Sequence, residues 1–249
     1  MSAYVDVSFA VIAAPSDVEH LPTMLQSLPH GCEVVILWNE PGDDNEVRIR
    51  ESKLDTSKLP YDLREYRVQW REFSFADMRN LCGALCTRSW IFWIDCDDTL
   101  LTWQHSYFTE TLPQMPAGIA GIKAGVVGVQ PNHELSRAGE VMQRFHGEQV
   151  RLYRNRYGLQ WKGHAHEQIG WSVQRAGYSL YDSELMVIHR GYALQSMEGM
   201  RRKVARNVTL LSRQISEGGN EPDELLLFQN VLARDAGTLR FYNEILGVM

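Results

Sequence analysis

The sequence predicts an open α/β fold, a largely parallel sheet flanked by helices, and three observations carry that expectation. Short β-branched and aromatic runs alternate with helical stretches as far as Asp98, the mark of successive βαβ units. One of these runs, Trp90-Ile91-Phe92-Trp93-Ile94, ends abruptly in Asp95-Cys96-Asp97-Asp98-Thr99, so a fully apolar strand delivers carboxylates to a strand tip, where such sheets bind ligands. Finally, Met197, Met200, Val204, Val208, Leu211 and Ile215 recur at helical spacing and predict a helix to Gly218, the first arm of a C-terminal hairpin.

Taken in order, Val5 to Ala13 is a strand by its β-branched content. Ser16 or Asp17 can cap a helix running to about Leu28, and Glu33 to Trp38 is a second strand. Residues 41–60 are polar and read as an excursion with a short helix at best. Leu63 to Trp70 is a third strand, followed by a helix capped by Ser74 and reaching about Thr87, then the strand into Asp95. Further strands are expected over Ile119 to Val129, Gln149 to Tyr153, Leu159 to Lys162 and Tyr178 to His189, with a helix opening at Glu167 and ending near Arg175. The last helix opens at Pro222 and stops near Gly237.

A chain of 249 residues, 44% hydrophobic and 22% charged, can bury a full core and is not largely disordered. Its net charge of -6 gives no overall pull towards nucleic acid or anionic membrane. The apolar run before Pro15 follows Asp6 and lacks a basic flank, so it reads as a strand and not a secretory leader. Lys123 interrupts the longest apolar stretch, and no membrane span is expected. The protein should be soluble and cytoplasmic, with Cys32, Cys82, Cys86 and Cys96 as reduced thiols.

Asp95, Asp97 and Asp98 repel one another unless a cation or a proton sits among them, and an oxygen-seeking divalent metal, Mn2+ or Mg2+, is the simplest partner. Read alone, the segment resembles two motifs: the Asp-x-Asp of glycosyltransferases with the GT-A fold, and the Asp-x-Asp-x-Thr of haloacid-dehalogenase-type phosphatases. The phosphatase motif normally lies on the first strand, whereas here several βαβ elements precede it, and no later acidic pair follows Lys123.

Other segments side with the first. Trp70-Arg71-Glu72-Phe73 running into Arg79-Asn80, Asp95-Cys96-Asp97-Asp98, Arg151-Leu152-Tyr153-Arg154 with His166-Glu167, and His189-Arg190-Gly191-Tyr192 with Lys203-Val204-Ala205-Arg206-Asn207 together resemble bacterial glycosyltransferase family 2. The resemblance implies a GT-A nucleotide-diphospho-sugar transferase fold, a Rossmann-like mixed sheet flanked by helices over residues 1–194, with a helical extension over 195–249. It implies metal-dependent, inverting transfer of a hexose or pentose from a nucleotide-diphosphate sugar, first a UDP-sugar. The acceptor would be a hydroxyl on a glycan, lipid-linked saccharide, protein or modified nucleic-acid base. A nucleotidyltransferase, or a sugar-nucleotide binding module without catalysis, are the alternatives on the same fold.

The resemblance also implies roles. Asp97 would bind metal, Asp95 the ribose or the metal through water, and His189 the metal or the diphosphate, unless that histidine is structural. Asp98 either caps a following helix or acts. Glu167 is the base, or simply a helix-start glutamate, and His166 shapes the acceptor site. Trp161 is a sugar platform or part of the core, and Arg79 forks onto phosphate or makes a surface salt bridge. Ala13, Ala14 and Pro15, with Asn39 and Glu40, stand where the nucleoside would lie. Trp38-Asn39-Glu40-Pro41 departs there from the Asp-rich turn often seen in the family. Arg201, Arg202, Lys203 and Arg206 would hold an anionic acceptor or the diphosphate, or form a solvated face or an internal salt-bridge network.

Overall fold

The computed structural model describes residues 4–40, 50–51, 59–69, 74–131, 141–191 and 196–247. Most of the 41–60 excursion, Trp70 to Phe73 of the first motif, and Tyr192 lie outside the described residues. Among those described, nine strands form one mixed sheet: β1 Val7–Ala13, β2 Glu33–Glu40, β3 Arg50–Glu51, β4 Asp62–Gln69, β5 Trp90–Trp93, β6 Asp98–Leu100, β7 Ile119–Pro131, β8 Val141–Arg154 and β9 Ser179–His189. Their order is β3-β4-β2-β1-β5-β8-β7-β9-β6. β4, β2, β1 and β5 are parallel, so their carboxyl ends open side by side, and β8 then runs antiparallel to β5.

Period-two alternation explains why these strands need cover on both faces. Phe9, Val11, Val34, Ile36 and Phe92 face one core with Leu21 and Met24 of α1 (Leu21–Gln26). Ala10, Val35, Leu37 and Trp93 face the other with Met78 and Cys82 of α2 (Phe75–Leu85). Phe9, Phe92 and Phe108 meet at centroid separations of 5.3–6.0 Å, and fully burying a ring of this size stabilises the fold by roughly 1.5–3 kcal/mol.

After α3 (Gly170–Arg175) and β9 come α4 (Met197–Glu217) and α5 (Pro222–Leu246), the expected hairpin. It buries Leu210, Leu211 and Phe228 against Ala165. The residue facing Phe228 is Gly163, at φ 109°, where an added Cβ would lie 3.0 Å from the ring. Gly163 and His164 in turn offer their carbonyls to Ala76 N and Phe75 N, 3.3 and 3.1 Å away. The hairpin therefore braces residues 163–169 against the start of α2.

Several expectations are corrected. The helix to Leu28 is broken into a single turn, Pro15–Asp17, and the short α1, because Pro22 has no N–H and is tolerated only in a first turn. β2 extends through Asn39 and Glu40, and β8 begins at Val141, forming a long antiparallel arm with β7. Leu159 to Lys162 is no strand; it contributes one bridge, Lys162 to Gln168. Glu167 precedes α3 by three positions, so no helix dipole acts on it from there. α5 passes through Gly237 to Leu246; a Cβ at Gly237 would meet nothing, so this glycine costs only propensity, about 1 kcal/mol. Ser74 caps α2 as expected, accepting from Asp77 N at 3.3 Å. All four cysteines are free thiols, and among the described residues no helix is long and apolar enough to cross a membrane.

Candidate active site

The site begins where β5 ends. Ile94 N still donates to Ala10 O, after which the chain turns over residues 95–98, with Asp98 N on Asp95 O at 3.0 Å. Asp98 opens β6, an edge strand that pairs antiparallel with the end of β9 in the register Asp98 opposite His189. That register brings together residues 91 positions apart: His189 Nδ1 lies 2.9 Å from Asp98 Oδ1 and 3.4 Å from Asp97 Oδ1. One ligand atom from each of Asp95, Asp97, Asp98 and His189 falls within 4.8 Å of all the others.

A divalent cation fits this group. Carboxylate oxygens with one imidazole suit Mn2+ and are acceptable to Mg2+. The space is also kept open: a Cβ on Gly191 would lie 2.0 Å from Asp97 Oδ2 and 3.1 Å from His189 Nε2, so both atoms face the notch that this glycine leaves. In the metal-free protein the charges are strained. Burial pushes Asp97 up to about 6, with Asp95 and Asp98 adding to the rise and His189 and Lys203 opposing it. Burial also works against Asp95, but Arg79, Arg151 and His189 hold it well below the ordinary carboxylate range. Burial would depress His189, yet its bond to Asp98 and the charges of Asp97, Asp98 and Asp95 raise it.

Two arginines frame the acids. Arg79, buried in α2, donates from Nε to Glu167 Oε1 at 2.5 Å and from its terminal nitrogen to Asp95 Oδ1 at 3.2 Å. Arg151, buried in β8, donates to Asp98 Oδ2 at 2.7 Å. Their guanidinium carbons lie 3.7 and 3.6 Å from the centroid of the same ring, Trp93. Two planar groups cannot share one face at that height, so the indole is held between them, and its Nε1 donates to Val150 O at 2.7 Å. Sequence reasoning gave no role to Trp93 or Arg151. The signal was available: Arg151 shares strand phase with buried Tyr153, and a charged residue in an inward phase has to be paired.

The remaining expected residues sort themselves by contact. Arg79 is neither a surface bridge nor a free phosphate fork, since two carboxylates engage it. Asp98 caps no helix; it is a buried strand residue. Trp161 is 4% exposed and packs edge-on to Trp93 and Tyr153, so the sugar-platform expectation is corrected to core. His166, at φ 53°, places Nε2 3.0 Å from Asp235 Oδ2 and so ties the loop to α5. Arg201 bonds Glu198 through two nitrogens, at 2.8 and 2.9 Å, and Arg202 shares the same carboxylate, which neutralises much of the basic cluster. Ala13 ends β1, Ala14 and Pro15 follow it, and β2 carries Asn39 and Glu40 at the adjoining tip, with Ala13 opposite Trp38. Glu40 pairs with Arg67, whereas Asn39 Oδ1 is buried without a hydrogen-bond partner among the described residues. Cys96 Sγ, 3.7 Å from Ile12 O, holds the acidic turn against the β1 tip.

No protein-family model matches the chain, and no curated protein matches it in sequence. Among solved structures it is similar to the mannosyltransferase PcManGT from Pyrobaculum calidifontis in complex with GDP-Man and Mn2+, with a TM-score of 0.52 and 11% identity, covering 98% of this chain and 75% of that one. It is also similar to S. aureus TarS 1-349 in complex with UDP-GlcNAc, with a TM-score of 0.46 and 9% identity, covering 92% and 71% of the two chains. The likeness to the mannosyltransferase is one of fold: a curled, mixed α/β sheet of the GT-A type with helices following it.

Proposed function

We propose that a chain with this fold and this acidic turn is a metal-dependent, inverting glycosyltransferase, moving a sugar from a nucleotide-diphosphate donor, first a UDP-sugar, to a hydroxyl acceptor. One observation carries the reading: Asp95, Asp97 and His189 meet beyond the end of β5, and a single guanidinium separates them from Glu167. Asp97 and His189, with Asp95 beside them, would hold the cation, which when bound neutralises charge on a departing diphosphate, a contribution of several kcal/mol. The shared fold of a mannosyltransferase solved with a nucleotide sugar and Mn2+ makes these the ligands to test.

The chain's own groups account for the rest. Glu167 would take the acceptor proton: Arg79 occupies Oε1, and Oε2 makes no hydrogen bond among the described residues. General-base catalysis of this kind contributes about 10²- to 10⁴-fold. The resemblance to glycosyltransferase family 2 and the single base on the acceptor side support inversion. The tips of β1 and β2 would hold the nucleoside, where Asn39 Oδ1, without a partner among the described residues, suits a nucleobase N–H. Lys203, whose charge reaches Asp97, would face the diphosphate.

The test is thermal unfolding with UDP, GDP, CDP or ADP, with and without Mn2+, on the wild type and on Asp97→Asn. A ligand at about 100 times its Kd stabilises the folded state by ~2.7 kcal/mol. The reading expects one diphosphate to raise the midpoint only with Mn2+ and Asp97→Asn to abolish the gain. No shift by any nucleotide in either protein would remove the donor assignment.

A further inference from the structure

We infer that Asp98, the third carboxylate of the turn, is a positioning residue and not a metal ligand: it fixes the tautomer of His189 so that Nε2 presents a lone pair to the cation. Both of its oxygens are already committed. Oδ2 accepts from Arg151 at 2.7 Å and from Asp95 N at 3.1 Å, while Oδ1 faces His189 Nδ1 at 2.9 Å. With Oδ2 accepting from two N–H donors, one of them the Arg151 guanidinium, Asp98 acts as an acceptor through both oxygens, so Nδ1 carries the proton of the Oδ1 bond. Nε2 is then the acceptor end of the neutral ring, and it points to the notch at Gly191 beside Asp97 Oδ2. Arg151 keeps Asp98 in place and is itself stacked on Trp93, whose N–H is tied to Val150 O. The chain of contacts is thus Trp93, Arg151, Asp98, His189, cation, the carboxylate–histidine–metal arrangement that raises ligand basicity.

Substituting Asp98 by asparagine makes the inference sharp. Two donors, Arg151 and Asp95 N, converge where Oδ2 now sits. The amide oxygen would take that place and its NH2 would face His189 Nδ1, which must then accept. The proton moves to Nε2 and points at the cation site. An isosteric change would so reverse a tautomer without emptying any volume.

The inference rests on the proposed metal site, and its test separates the two. Side-chain 15N spectra of the metal-free protein, at a pH where the imidazole is neutral, are expected to show Nδ1–H at His189 in the wild type and Nε2–H in Asp98→Asn. Mn2+ binding, followed by the paramagnetic resonance of the free ion, should weaken about 10- to 100-fold in Asp98→Asn. Should that variant not fold, Arg151→Lys, which keeps a cation beside Asp98 Oδ2 but loses the planar stack on Trp93, is expected to retain Nδ1–H and show a smaller loss of Mn2+ affinity. An Nε2–H tautomer in the wild type overturns the inference. So does Mn2+ affinity that either variant leaves unchanged, or affinity lost in Asp98→Asn with the tautomer unmoved, which would make Asp98 a direct ligand. A wild type that binds no Mn2+ would instead sink metal-dependent transfer, and the tautomer pair alone would then decide the role of Asp98.

Discussion

Gly191→Ala should separate metal binding from folding. An ordinary contact between a Cβ and a side-chain atom begins at 3.4 Å, and the alanine methyl would start 2.0 Å from Asp97 Oδ2, so the carboxylate must retreat by about 1.4 Å. The backbone does not resist, because Gly191 is not among the glycines at positive φ. The struck atom is the end of a side chain, so the metal-free fold should lose no more than about 1 kcal/mol. Metal sites, by contrast, tolerate shifts of roughly 0.2 Å in ligand position. Displacing Asp97 that far should weaken Mn2+ binding by at least about 10- to 100-fold, or ~1.4–2.7 kcal/mol. The assay is the unfolding midpoint of wild type and variant across a Mn2+ titration. Equal midpoints without metal and a missing Mn2+-dependent rise in the variant are the expected result. If alanine leaves that rise intact, Asp97 Oδ2 does not face the cation and the geometry argued above is wrong.

Three further outcomes are expected. Because Asp97 is raised to about 6, its neutral form favours the metal-free fold at low pH, a contribution that fades as pH rises through that value. Mn2+ needs the ionised form, so calorimetric affinity should fall up to about tenfold per unit below about pH 6, and a flat profile between about pH 5 and 7 would refute this. Glu33, buried in β2, is lowered: burial opposes ionisation, but hydrogen bonds from Ser8 and Thr87 and the charge of Arg64 prevail. Its stabilisation should be present at neutral pH and lost as pH falls through the folded value. Thr87→Val, which removes the Oγ1 donor 2.6 Å from Glu33, should cost about 1.5–3 kcal/mol in urea unfolding, and a loss below about 0.5 would contradict the assigned bond. Glu167→Gln should cut transfer by about 10²-fold or more yet keep the Mn2+-dependent nucleotide shift; unaltered turnover would remove Glu167 as the base.

The acidic turn was legible because Trp90 to Ile94 contains no polar residue to blur where the strand stops. His189 was singled out through the resemblance of His189-Arg190-Gly191-Tyr192 to a family motif, although only the structure explains the glycine: any side chain there would strike Asp97. The sequence left Asp98 open between capping a helix and acting, because strand register, not spacing, places it opposite His189. Arg79 was misread for a related reason. Its partner Glu167 lies on a loop braced by α4 and α5, a contact no local pattern announces. The length of β8 was hidden by a register shift around His146, with Gly147 at φ 109°, which breaks the alternation that reveals a strand. The break ahead of α1 could have been read, since Pro22 stands in the middle of the proposed helix.

The double grip of Arg79 has a consequence for how this protein could change. One flat, rigid group spans the gap between Asp95, on the proposed nucleotide side, and Glu167, on the proposed acceptor side, with tryptophans near it at 3.7 and 5.5 Å. It works as a spacer gauge that sets the separation of the two halves before either substrate arrives. A lysine in its place could reach one carboxylate or the other but could not measure the distance between them. Under the proposed function, donor and acceptor preference would therefore be coupled at these positions: an altered Asp95 would be felt at Glu167 through the gauge, and new specificities would arise farther out, at the strand tips and on the helical hairpin.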